Sequence, residues 1–257
     1  IIRRTTTGVP LLDQLLGGGI PWGKIIELYG PESTGKTLLA QYIAASIQKS
    51  EHPDIVYFDM EDSFDQEWWA QSQVDIEKML VTSPNTAEEA IDIMIALKQA
   101  KNLDIGLIIV DSIAAMVPAV DADPNRGADE KTMGAQAKVV TLMFHKVKGL
   151  LGDTIWLLTN QMRASLGTQY DEIGALPGGK ANRHYCHVIL RTAKRDWIKD
   201  GDNRVGFNIE VINRKNKLAK TGEGESITIP YNFHNQIDYL MSYIEDGIEK
   251  QVIQKSG

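Results

Sequence analysis

Apolar, β-branched runs recur along the chain as far as Asn160: Ile25–Tyr29, Ile55–Asp59, Met79–Thr82, Ile105–Asp111 and Thr154–Asn160. They are apolar nearly throughout rather than alternating, as strands buried on both faces are. Between them, Lys36–Lys49, Phe64–Gln71, Thr86–Lys101 and Met133–Leu150 space their apolar residues as helices do. Strand and helix in alternation predict an α/β fold, with a mostly parallel central sheet flanked by helices. After Asn160 the pattern changes. Cys186–Thr192, Val205–Asn213 and Glu225–Ile229 read as strands without long helices between them, so antiparallel strands are expected at the C-terminal end. Asn235–Glu245 and Glu249–Gln254 read as short helices. Val120–Thr132 and Arg163–Gly179 have no apolar periodicity, and connections of that length are functional or disordered.

Composition narrows the class. With 257 residues, 43% of them hydrophobic and 24% charged, the chain can bury one large core. No apolar run reaches the ~20 residues of a membrane helix, and a cytoplasmic chain without a leader is expected. Cys186 is the only cysteine, which excludes a disulfide framework and suggests a buried apolar role. A net charge of −7 excludes a global basic field. It leaves room for a local channel, because a few well-placed Lys and Arg suffice for phosphate contacts.

The most specific chemistry follows the first apolar run. Gly30-Pro31-Glu32-Ser33-Thr34-Gly35-Lys36-Thr37 stands between a strand and a helix, the order of a phosphate-binding loop. Gly30 and Gly35 let backbone N–H groups wrap a phosphate closely. Lys36 can neutralise β/γ-phosphate charge, and the Thr37 hydroxyl can hold Mg²⁺. Leu107–Asp111 is an apolar strand ending in a carboxylate, which places Asp111 where it can bind the same metal through water. Alone, such an Asp could simply cap its strand. A second strand ends in Asp59-Met60-Glu61-Asp62, and hydrolysis needs a carboxylate that activates water. Spacing does not choose among Asp59, Glu61 and Asp62.

These motifs, with Asn160-Gln161-Met162-Arg163 and Lys215-Asn216-Lys217, occur in the order seen in the bacterial RecA recombinases. Gly17-Gly18-Gly19, Ile20-Pro21-Trp22-Gly23 and Ser83-Pro84-Asn85-Thr86 extend the resemblance over nearly the whole chain. Both a bacterial and a phage origin fit. The resemblance implies ATP and Mg²⁺ as cofactors and places Glu61 at the catalytic glutamate. It puts Asp65 and Trp68 at the adenine, and Gln161 at the sensor of the γ-phosphate. With Trp69 beside Trp68, one of the two is expected to be exposed. Lys215 and Lys217, two apart on a strand, would otherwise read as a surface pair. In the family the matching lysines reach a neighbour's ATP, so Lys36, Glu61, Gln161, Lys215 and Lys217 form the implied catalytic set.

The two non-periodic segments match the family's DNA loops. Gly134, Lys138, Thr141 and His145 share one helical face, opposite Val139, Leu142, Met143 and Leu150. With Met133 at the loop edge, this face is implied to contact DNA. The second loop contributes Arg163, Ala164, Ser165, Leu166 and Tyr170, and Gly178, Gly179 and Lys180 at its end. The implied partners are single-stranded DNA, homologous duplex DNA and further copies of the chain in a helical filament. Residues 1–257 read as a single ATPase core domain, with the family's N-terminal polymerisation segment and C-terminal domain expected to be missing. A ring-forming DNA motor and an accessory paralogue without strand exchange are the alternative readings. Cations supplied as a lysine pair, with an intact Glu61, favour the recombinase.

Overall fold

In chain order the computed structural model begins with β1 (Arg4–Thr5), α1 (Pro10–Leu15), β2 (Ile20–Pro21), β3 (Ile25–Gly30) and α2 (Lys36–Ile47). It continues through β4 (Asp54–Asp59), α3 (Gln66–Gln71), β5 (Met79–Thr82), α4 (Ala87–Gln99) and β6 (Ile105–Asp111). Next come α5 (Ala119–Ala122), α6 (Ala135–Lys148), β7 (Ile155–Gln161) and α7 (Gly179–Tyr185). The last elements are β8 (Val188–Asp200), β9 (Asn203–Asn216), β10 (Ser226–Asn232), β11 (Gln236–Ile237) and α8 (Tyr239–Glu249). The structure describes residues 2–123, 125, 134–162, 176–220, 222–234, 236–249 and 252–254.

β1 and β2 pair antiparallel, and the other nine strands form one sheet in the order β11-β10-β9-β8-β3-β7-β6-β4-β5. The pairs from β8 through β3, β7, β6 and β4 to β5 are parallel. From β8 outward to β11 the pairs are antiparallel. This is the expected mostly parallel sheet with an antiparallel end. Each central strand feeds two apolar layers in alternation, as a period of two requires. Leu107 and Ile109 of β6 pack in one layer with α1 and α2, and Ile108 and Val110 in the other with α4 and α6. β3 follows the same rule, with Ile26 and Leu28 on the first side and Ile25 and Tyr29 on the second. Glu27 therefore points into the second layer, and it is fully buried there.

Helix starts follow local chemistry. The Asp65 side chain caps α3 by accepting from Trp68 N–H, and Thr86 caps α4 by accepting from Glu89 N–H. Glu89 reaches back to Asn85 N–H at 2.8 Å and closes a box around that helix start.

Several expectations need correction. Residues 235–254 were expected to form two short helices. Gln236–Ile237 is instead a strand on β10, and among the described residues one helix, α8, follows. The pairing wins because it buries Ile237, whose N–H donates to the Tyr42 hydroxyl. β8 and β9 run well past the expected Thr192 and start before Val205, joined at Gly201, where φ is +59°. Their outer halves are polar and half-exposed, so apolar patterning does not reveal them. Cys186 lies at the end of α7 rather than in a strand, though it is buried as expected. Among the described residues no helix is long and apolar enough to cross a membrane.

Candidate functional site

Four central strands end on one edge of the sheet, and the candidate residues follow them. The register sets Gly30 opposite Gln161 and Asp59 opposite Asp111. Open α/β sheets collect ligands at this carboxyl edge. The loop leaving β3 needs its glycines. A Cβ on Gly30 would stand 2.3 Å from the Thr192 carbonyl oxygen, and Gly35 has φ +90° with Ile209 Cδ1 in the way of any side chain. Gly35 is the N-cap of α2, so the first-turn N–H groups face the loop. Lys36 is buried and donates to the carbonyls of Gly30 at 3.2 Å and Pro31 at 2.7 Å. Burial lowers its pKa, opposed by the charges of Asp111, Glu61 and Glu32.

Asp111 is held from three sides. Thr37 Oγ1 donates to Oδ2 at 2.7 Å, Tyr57 OH to the same oxygen at 3.1 Å, and Thr159 Oγ1 to Oδ1 at 2.5 Å. Burial and Asp111 keep the Tyr57 phenol protonated by raising its pKa. The three carboxylates at the end of β4 and just beyond it separate by contact. Asp59 is buried and uses both oxygens to accept N–H groups of Ser63 and Phe64, so it builds the turn. Asp62 occupies a positive-φ position, at +52°, on the exposed side of that turn. Glu61 Oε1 instead accepts from Gln161 Nε2 at 2.8 Å and from the Ser112 hydroxyl. Glu61 and Gln161, 100 residues apart in the chain, thus meet above the phosphate loop.

A cleft of about 710 Å³ joins these groups. Lys36, Thr37, Glu61, Asp111 and Gln161 line it together with Trp68 and the mutually packed rings of Phe207, Tyr231 and Phe233. Trp69 is buried in the core and Trp68 is half-buried against it, so neither is fully exposed, and Trp68 is the one that reaches the cleft. Asp65 is absent from the lining and caps α3 beneath it. Tyr57, Thr159 and Ser112 around the carboxylates, and Lys194 and Phe207 in the cleft wall, were not anticipated. Thr159 stands two residues before Gln161 on the same strand, a period-two signal that could have pointed to it.

Lys215 and Lys217 are elsewhere. Lys215 pairs with Ile189, which pairs with Glu27, three residues short of Gly30. Lys217 N–H donates to the His187 carbonyl, and His187 N–H to that of Ile25. Lys215 is therefore level with the middle of β3 and Lys217 with its amino end, about 10 and 17 Å back along the strand direction from the phosphate loop. Neither lines the cleft. The Lys215 ammonium donates to the carbonyls of Arg183 and Cys186 at the end of α7, a favourable place for a cation. Burial, and then the charge of Lys217, push it down to about 8.

Of the DNA candidates, Met133, Arg163, Ala164, Ser165, Leu166 and Tyr170 lie outside the described residues. Lys138 is exposed on α6, and Thr141 Oγ1 bonds back to the Ala137 carbonyl at 2.7 Å. The His145 ring is 3.2 Å from Tyr185 OH, which sets this face of α6 against α7. Leu142 is exposed beside Lys138 and His145, correcting its expected place on the buried face. The buried stripe runs through Val139, Val140, Met143 and Val147. Gly178 is buried, Gly179 half-buried and Lys180 exposed, so of the three Lys180 is the most accessible to a ligand.

Comparison with known proteins agrees with this arrangement. A family model described as the RecA N-terminal domain matches residues 2–234. The protein named Protein RecA from Ureaplasma parvum is 35% identical over 259 residues, covering 100% of this chain and 75% of that protein. Protein RecA from Clostridium acetobutylicum is 33% identical over the whole chain and 72% of its own length. With sheet, phosphate loop and sequence in agreement over this span, the chain belongs to the RecA family of ATP-dependent recombinases, whose ATP hydrolysis depends on DNA.

Proposed function

We propose that this chain coats single-stranded DNA as a helical filament, pairs it with homologous duplex and exchanges strands, with ATP hydrolysed between neighbouring protomers. The observation that carries this reading is the separation of two half-sites. The phosphate loop, Glu61 and Gln161 stand at the carboxyl edge of the sheet, and Lys215 and Lys217 behind it, level with the middle and the amino end of β3. A cation so placed cannot serve the phosphate loop of its own chain, but it can serve that of a neighbour stacked head to tail.

Within the cleft, Lys36 and the first-turn N–H groups of α2 hold the β- and γ-phosphates. Thr37 and Asp111 supply one hydroxyl and one carboxylate. That donor set suits Mg²⁺, which keeps its waters and takes its other oxygens from phosphate. The metal would neutralise phosphate charge; the remaining work belongs to the protein. Glu61 takes the proton of the attacking water, and its bond to Gln161 ties that base to the strand leading into the second DNA loop. The adenine lies between Trp68 and the other aromatic rings of the cleft. Specificity for DNA comes from base pairing, with Lys138 and Lys180 among the phosphate contacts. Trp68→Ala should therefore weaken nucleotide binding by about 1–3 kcal/mol, the worth of one base–aromatic stack. Titration with a fluorescent ATP analogue measures this, and unchanged affinity would place the base elsewhere.

Electron microscopy on single-stranded DNA with ATP, alongside a strand-exchange assay, tests the whole reading. Extended helical filaments with exchange activity are expected. Closed hexameric rings would favour a motor, and DNA-bound protein without exchange an accessory role.

A further inference from the structure

The sheet contains a buried carboxyl that the hydrolytic site does not use. Glu27, in the middle of β3, is fully buried. Its Oε1 accepts from Asn160 Nδ2 at 2.7 Å and from Asn182 Nδ2 at 2.9 Å. The same two amide groups also donate to the Pro177 carbonyl, at 3.0 and 2.7 Å. The result is a closed square in which two amides bridge one carboxyl oxygen and one backbone carbonyl. Each corner belongs to a different part of the site. Asn160 precedes Gln161 in β7, and its Oδ1 accepts the Gln161 N–H at 3.0 Å. Pro177 leads into Gly178, whose missing side chain leaves room for Asn182 Oδ1, 2.2 Å from where a Cβ would sit. Asn182 lies in α7, whose last carbonyls hold the Lys215 ammonium. The buried Cys186 thiol lies close to the Glu27 carboxyl, and Glu27 Oε2 has no hydrogen-bond partner among the described residues.

We propose that Glu27 is a positioning residue that couples the Gln161 end of β7 to the Pro177–Gly179 turn, so that nucleotide and DNA occupancy reach one another through this square. It rests on the roles assigned above to Gln161 and the second DNA loop. Coupling between sites needs an element that two ligands bias together. A square of buried hydrogen bonds is such an element, because moving either strand end breaks bonds that no water replaces. An apolar residue at position 27 would pack this interior at less cost in desolvation.

Protonation offers a readout that a merely structural role would not move. Burial raises the carboxyl to about 7, against the donated bonds and Lys215. Lys215 is the charged group facing it from β9. The Cys186 thiol is held protonated by burial and Glu27, and His187 is kept neutral by a pKa near 4. β7 and α7 contribute the amides of Asn160 and Asn182. The ionised carboxyl makes the stronger bonds to both amides, so coupling should tighten as pH rises through about 7.

The test uses the full chain with ATP, with and without single-stranded DNA, and measures turnover and nucleotide affinity. Glu27→Met should cut the DNA stimulation of turnover by about tenfold or more, with nucleotide affinity unchanged within about threefold. Asn182→Leu breaks the square from α7 and should do the same, which covers the case in which E27M fails to fold. Between about pH 6 and 7.5, wild-type stimulation should rise, while Glu27→Gln holds the low-pH value throughout. Wild-type stimulation retained in folded E27M or N182L, or a wild-type pH profile in E27Q, would overturn this inference alone. A wild type without DNA stimulation would overturn the assigned roles and this inference with them.

Discussion

Lys215→Ala is expected to lower DNA-stimulated ATP turnover by about 10³-fold, the lower end of what a cation supplied from a neighbour contributes to phosphoryl transfer. Nucleotide affinity of the unassembled chain should not change, because the lysine does not line its own cleft. The register makes this a demanding test. Lys215 is level with Glu27, and its ammonium rests on the Arg183 and Cys186 carbonyls. A lysine acting within its own chain would have to cross the thickness of the phosphate-loop region to reach the γ-phosphate. Lys217→Ala should follow the same pattern, from a side chain already exposed. Unchanged stimulated turnover in both variants would refute action across the interface.

Glu61→Gln is expected to reduce turnover by about 10²–10⁴-fold while ATP still binds, as loss of a general base does. The amide keeps an oxygen for Gln161 and Ser112, so the hydrogen-bonded positions survive and only the basicity is lost. Filaments should then persist on DNA, because release depends on hydrolysis. Asp59→Asn makes the contrasting variant. Asp59 uses both oxygens on the Ser63 and Phe64 N–H groups, so its loss should lower stability more than it slows the chemical step. Single-turnover rates and thermal melts of the two variants separate these effects. Equal loss of chemistry in both would undo the assignment of the base.

Much of this site was legible in sequence because its logic is local. A run of apolar residues ending in Asp111, and a glycine-bounded loop opening a helix, each state their geometry within a dozen residues. The choice among Asp59, Glu61 and Asp62 is not local. It depends on a turn that captures one carboxylate and on Gln161 arriving from another strand. The outer halves of β8 and β9 were hidden because polar, half-exposed hairpins carry no apolar period. Glu27 passed as one polar residue in an apolar run. Its partner Asn182 lies 155 residues away, and no spacing rule connects them. The placement of Lys215 level with Glu27, behind the phosphate loop, is a property of strand register, which composition does not encode.

That placement gives an assembly a direction and a count. If each active centre joins one protomer's phosphate loop to the next protomer's lysines, a chain of protomers has one fewer complete centre than members, and a lone protomer has none. Turnover per protomer should then climb with filament length and level off. Two inactive chains can also repair each other. In a random equal mixture of Lys36→Ala and Lys215→Ala protomers, about one junction in four brings an intact loop to an intact lysine. A residual activity near a quarter of wild type, from two proteins inert alone, is the arithmetic signature of a site shared in one direction.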